Sequence, residues 1–215
     1  MQTLQPITKP TTKSNHPKNK GRLLFHMQKG THHMTDKKYN IIYADPPWSY
    51  GRWNLCKQFK GEKIHYPTMT IEEIKALPIH EITEKDSILF LWAIYPCLQE
   101  AFEVIKAWGF SYKTVAFTWV KRNKNSPTHF IGMGNWTRAN AEICLLATKG
   151  NPKRMSKSVR QIIDTPLKHH SQKPTEARER IVELLGDLPR IELFAREKPQ
   201  GWDVYGNEVQ SDITL

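Results

Sequence analysis

Two consecutive prolines, Pro46 and Pro47, stand just behind the apolar run Ile41-Ile42-Tyr43-Ala44, and this fixes a point in any fold the chain adopts. The β-branched and aromatic run reads as a buried strand. Proline gives no N–H to a sheet and has a nearly fixed φ, so the strand ends at Asp45. A carboxylate therefore sits at a strand's C-terminal end, the edge where ligands bind in open α/β sheets. Asp45-Pro46-Pro47 presents one anion and a set of carbonyl oxygens with almost no donors, a cradle suited to an amine.

An exocyclic amino group such as that of adenine has its lone pair delocalised into the ring. It becomes a nucleophile when both N–H bonds are held by acceptors that draw the nitrogen towards tetrahedral geometry. The Asp45 carboxylate and the Pro46 carbonyl are candidates for those acceptors, and Trp48 for a flat face against the base. The same stretch also reads as a strand, a Pro-Pro turn with an N-capping Asp, and a core Trp. On its own it does not choose.

The rest of the chain alternates strand and helix signals. Strands are expected at residues 87–92, 141–148 and 190–195, with one or two across 110–121. Thr70-Ile71-Glu72-Glu73 is a capping box opening a short helix that Pro78 stops. Pro96 opens a helix through Trp108 with Gly109 behind it, and Pro174 opens one to Leu185 with Gly186 behind it. The alternation implies an α/β fold with a mostly parallel sheet and its site-forming loops at one edge. Three long polar segments, at residues 49–66, 122–140 and 152–172, interrupt it and are candidate binding loops.

At 215 residues the chain is one domain, or one domain with a tail. The +11 net charge is concentrated at the start: residues 1–38 hold eight Lys/Arg and one acid, leaving only +4 for the remainder. Residues 1–36 lack periodicity and read as a basic, disordered arm, with Met34 as an alternative start for the folded part. There is no run of about 18 apolar residues and no hydrophobic signal core, so neither a membrane span nor secretion is expected. Three well-separated cysteines, Cys56, Cys97 and Cys144, fit neither a disulfide framework nor zinc-ligand spacing and suit a reducing, cytoplasmic setting.

Gly132-Met133-Gly134 lacks the third glycine of a dinucleotide fingerprint, and no phosphate-binding Gly-Lys-Ser/Thr loop occurs. His32-His33 and His169-His170 have no second ligand pair at metal spacing, so no metal is expected. Cys97 lies at a helix start, where a thiolate is favoured, yet no accompanying motif supports it and packing is the expectation. What remains is Asp45-Pro46-Pro47-Trp48, Lys173-Pro174 and the strand Ile191-Glu192-Leu193-Phe194-Ala195-Arg196. A sulfonium methyl donor has a carboxylate that Lys173 could meet at a helix N-terminus, and a nucleoside end within the competence of Arg196 and Asn207.

Eight stretches in order resemble the MT-A70-like family of S-adenosylmethionine-dependent adenine-N6 methyltransferases. They are Ala44-Asp45-Pro46-Pro47-Trp48, Tyr66-Pro67-Thr68-Met69, Leu89-Phe90-Leu91-Trp92, Trp119-Val120-Lys121, Glu142-Ile143-Cys144-Leu145, Lys149-Gly150-Asn151-Pro152, Ser171-Gln172-Lys173-Pro174 and Arg190-Ile191-Glu192-Leu193-Phe194. The resemblance implies a Rossmann-like methyltransferase domain over residues 37–215 in permuted motif order, with S-adenosyl-L-methionine as cofactor. It implies that Asp45, Pro46, Pro47, Trp48 and Tyr66 form the catalytic side. Asp45, Lys173, Arg196, Asn207 and Glu208 form the cofactor side, and Lys121 and Glu142 border the substrate pocket. Glu208 stands where eukaryotic members often have glutamine, and the segment after Arg196 is shorter here. The compact domain favours DNA over RNA as the nucleic-acid partner, with a homodimer or a partner subunit as further expectations. A catalytically silent nucleic-acid-binding subunit is the competing class.

Overall fold

The computed structural model describes residues 36–49, 68–134, 136–168 and 172–215. The chain divides into two units, Met1–His32 and His33–Leu215, and only the second contains described residues. Nearly all of the basic arm, Met34, Tyr66 with most of its loop, Cys56 and His169-His170 therefore lie outside the described residues.

Among the described residues, seven strands form one sheet in the order β5-β3-β4-β2-β1-β6-β7. They are β1 (Tyr39–Ala44), β2 (Thr83–Ala93), β3 (Ser111–Arg122), β4 (Glu142–Lys149), β5 (Ile162–Pro166), β6 (Arg190–Leu193) and β7 (Asp203–Tyr205). Strand β4 pairs antiparallel with β2 and β3, and the other pairings are parallel. Six strands thus run one way and β4 alone runs back, which puts the start of β4 level with the ends of its neighbours.

Residues pointing to one face of the sheet, Ile41 and Tyr43 of β1 with Ile88, Phe90 and Trp92 of β2, pack under helix α4 (Thr175–Leu185) through Ala177, Ile181 and Leu185. Because side chains alternate along a strand, Ile42, Leu89 and Leu91 turn to the other face, and all three are fully buried. There lie α1 (Ile71–Lys75), α2 (Ile79–Ile82) and α3 (Leu98–Ala107), with Trp108 Nε1–H donating to the Ile74 carbonyl at 3.0 Å to tie α3 to α1. Helices on both faces of a mostly parallel sheet make this a Rossmann-like methyltransferase fold. No helix among the described residues is long and apolar enough to cross a membrane.

The capping box forms as its residues dictate: Thr70 Oγ1 accepts the Glu73 N–H at 3.2 Å and Glu73 Oε2 accepts the Thr70 N–H at 2.8 Å. Gly186 closes α4 with φ +82°, a conformation that costs a residue with a Cβ. The final long strand is shorter than expected. It stops at Leu193 because Phe194 takes a left-handed φ of 62°, turning Ala195 and Arg196 out of the strand direction.

Candidate active site

The connections leaving β1 run through α1 and α2 on one face, while α4, on the other face, delivers the chain to β6. Since β6 lies beside β1, the C-terminal ends of β1 and β6 flank a topological switch point, the position at which open α/β sheets leave a crevice. Asp45 follows β1 immediately and stands at that point.

Four alternating charges from four distant segments meet there. Lys173, just before α4, reaches Asp45 Oδ2 at 2.7 Å and Glu142 Oε2 at 3.2 Å. Lys121, at the end of β3, reaches Glu142 Oε1 at 2.5 Å. Glu142 takes part because β4 is antiparallel and begins at this edge. The ammonium of Lys173 also sits 5.6 Å from the Trp92 ring centroid, and that of Lys121 lies 5.1 Å from the Trp119 ring.

Electrostatics separate the two carboxylates. Burial raises the Asp45 pKa above the ordinary aspartate value and Glu142 adds to the rise, with Lys173 and Arg196 opposing. Glu142 is buried too, but Lys173 and Lys121 outweigh that and hold it below the usual glutamate value. Lys173 loses water on burial, yet its two carboxylates raise its pKa well above that of a free lysine and keep it charged. The cluster thus holds one firmly ionised carboxylate, one firmly charged ammonium, and one carboxylate, Asp45, poised closer to protonation.

The two prolines are occupied differently from each other. The Pro46 carbonyl accepts the Trp48 N–H at 2.8 Å, which leaves one of its lone pairs. The Pro47 carbonyl accepts the Met69 N–H at 3.0 Å, pinning the motif to the segment before α1. Trp48 is only 8% exposed and its Nε1–H donates to the Trp92 carbonyl at 3.1 Å, so it braces the motif against β2.

Beyond β6 and β7, Ala195 N–H donates to the Tyr205 carbonyl at 3.0 Å. A Cβ on Gly206 would lie 2.1 Å from the Ala195 oxygen, so only glycine permits this approach. The contact sets Arg196 beside Glu208, with Nε and Oε1 3.7 Å apart, and Asn207 is exposed next to them. All three stand at the same sheet edge as Asp45. Lys173, Arg196, Asn207, Glu208, Lys121, Glu142 and Asp45 therefore share one rim, while Tyr66 lies outside the described residues.

Some participants carry no signal in the sequence. Asn140 holds the backbone of Lys121 from both sides, its Oδ1 accepting the N–H and its Nδ2 donating to the carbonyl, each at 2.9 Å. Arg178 on α4 forks onto the buried Glu192 of β6 at 2.7 and 3.0 Å and reaches Glu197 at 2.9 Å. An Arg on a helix and a Glu inside an apolar strand each look unremarkable until the topology pairs them. Cys97 is buried at the 3-10 turn Tyr95–Cys97 with its thiol pushed up to about 11, the opposite of a reactive thiolate.

The MT-A70 family model matches residues 39–208. The chain is 35% identical over 190 residues to the type II methyltransferase M.MunI of Mycoplasma sp, covering 80% of this chain and 78% of that protein. It is 27% identical over 176 residues to an N(6)-adenosine-methyltransferase MT-A70-like protein of Drosophila melanogaster, covering 80% of this chain and 27% of that one. A probable N(6)-adenosine-methyltransferase MT-A70-like protein of Oryza sativa subsp. japonica is 28% identical over 176 residues, with 80% and 23% covered. The chain thus spans about a quarter of these eukaryotic relatives.

Proposed function

Since the chain belongs to the MT-A70 methyltransferase family, we propose that it transfers a methyl group from S-adenosyl-L-methionine to the N6 amino group of adenine in DNA. The observation that carries this reading is the 2.7 Å contact between Lys173 and Asp45 at the switch point. Lys173 engages Oδ2, so the other oxygen of Asp45 is turned to accept one hydrogen of the amine, and the remaining lone pair of Pro46 accepts the second.

The rim suits the cofactor. An ammonium donates three hydrogens; Lys173 uses two on Asp45 and Glu142, and the third serves the cofactor carboxylate. Arg196, Asn207 and Glu208 offer the hydrogen-bonding groups that a ribose and an adenine need. When bound, the cofactor supplies a methyl group on a cationic sulfur that departs as a neutral thioether. Asp45 and Pro46 hold the amine nitrogen in a geometry that frees its lone pair. The raised pKa of Asp45 suits it to take the proton that the methylated amine gives up.

DNA is favoured because the type II methyltransferase is matched over most of both lengths, whereas the adenosine methyltransferases are matched over a minor part of theirs. Incubation of the protein and cofactor with duplex DNA and with single-stranded RNA, followed by mass spectrometry of the nucleosides, tests this. N6-methyladenine is expected in the DNA. Methylation confined to RNA would overturn the choice of substrate, and none in either would overturn the activity.

A further inference from the structure

The turn between β3 and β4 was not absorbed by the site, and it combines features that the fold does not explain. Residues 123–141 contain no Asp or Glu, and Lys124, His129 and Arg138 are all exposed. Within the turn, Trp136 is 94% exposed, and Ile131 and Met133 are also largely exposed. An indole left in water forfeits the stabilisation that burial would give, so this ring contributes nothing to the folded chain.

The turn is built. Asn123 N–H donates to the Thr128 carbonyl at 2.9 Å and Gly132 N–H to the Ala139 carbonyl at 2.7 Å. Asn140, which clamps Lys121, also donates to the Phe130 carbonyl at 2.6 Å. A Cβ on Gly134 would lie 1.9 Å from the Thr137 oxygen, so the tip is too tight for any other residue. This assembly stands on Lys121 and Glu142, and thus rises from the same edge as Asp45.

We propose that Trp136 stacks on a base of the bound DNA while Lys124, His129 and Arg138 meet its phosphates. The inference rests on the proposed function for the identity of the strand. Every base has a π-face, so a bare indole is a sequence-tolerant platform. A turn without acidic residues that carries three basic side chains is complementary to a polyanion, whereas cores of protein interfaces are depleted of charge.

The test uses the full chain, without methyl donor, and a fluorescein-labelled mixed-sequence oligodeoxynucleotide, single-stranded and as duplex. Affinity is read by anisotropy across a salt series. Trp136→Ala is expected to weaken binding about tenfold, with the salt slope unchanged and Trp136→Phe retaining most of the affinity. Lys124→Ala and Arg138→Ala are each expected to reduce the slope by about one. The thermal unfolding midpoint of Trp136→Ala should match that of the parent, since the ring is exposed. Unchanged affinity in Trp136→Ala would overturn the proposal. So would a parent protein that sediments as a dimer and becomes monomeric on this substitution, since the ring would then cover a second copy. Because no methylation is measured, failure of this proposal and failure of the methyltransfer reading are separate results.

Discussion

Lys173 Nζ lies 2.7 Å from Asp45 Oδ2 although 128 residues separate the two in the chain. One residue directly follows β1 and the other just precedes α4. Their meeting depends on β6 returning to the free side of β1, and it turns a surface aspartate into a partly desolvated, singly engaged acceptor.

Asp45→Asn keeps the shape of the motif and replaces the anion with a neutral amide. If the carboxylate is the acceptor that activates the amine, methylation should fall by roughly 10²–10³-fold, the loss typical when one transition-state hydrogen-bonding group is removed. Cofactor affinity, measured by calorimetry, should change much less. Full activity in this variant would remove Asp45 from the chemistry.

The acid limb of the pH–rate profile should follow Asp45. Its pKa is raised, so protonation, and with it loss of the acceptor, begins at a higher pH than for an ordinary aspartate. Glu142 contributes to the rise and Lys173 opposes it. Glu142→Gln should therefore move the limb to lower pH and Lys173→Met should move it to higher pH. A cluster that served only to hold the fold together would lower the rate in both variants without opposite displacements.

Arg178→Met should destabilise the protein by about 3 kcal/mol near neutral pH, because it strands the buried Glu192 carboxylate. The sign with pH follows from Glu192. Burial already raises its folded pKa despite Arg178, and losing the guanidinium raises it further. A carboxylate whose folded pKa exceeds its unfolded value costs stability when ionised, and this cost disappears as pH falls through the folded pKa. Urea titrations should therefore show the deficit narrowing as the pH is lowered, and a deficit independent of pH would mean that packing, not charge, is what Arg178 supplies.

The central strands and capped helices were legible because each carries a strong local signal. Ile41 to Ala44 is wholly buried, and so is the run from Ser87 to Ala93. The edge strands β5 and β7 were not legible: each buries a single residue, Ile163 or Val204, so no periodicity exists to detect. Asp45, Lys173, Glu142 and Lys121 could be singled out from their motifs, but their common ion chain depends on the reversed direction of β4, which no local pattern encodes. Trp48 was legible only as two alternatives, a face for a base or a packed core ring, and its hydrogen bond to the Trp92 carbonyl depends on β2 lying beside β1, which no local pattern encodes.

The Tyr43–Trp92 pair offers a final test of how the core supports the site. Trp92 Nε1–H donates to the Tyr43 hydroxyl at 2.7 Å in the buried layer, and the same indole lies beneath the Lys173 ammonium. Tyr43→Phe removes the acceptor and leaves a buried N–H unsatisfied, at a cost of about 1–3 kcal/mol. Trp92→Phe removes the donor and leaves the Tyr43 hydroxyl without it, adding the loss of a large ring. In the double variant neither polar group remains, so its destabilisation should be smaller than the two single effects together by about 1 kcal/mol, read from urea midpoints in a double-mutant cycle. Strict additivity would show that the hydrogen bond contributes nothing and that the two rings are held by packing alone.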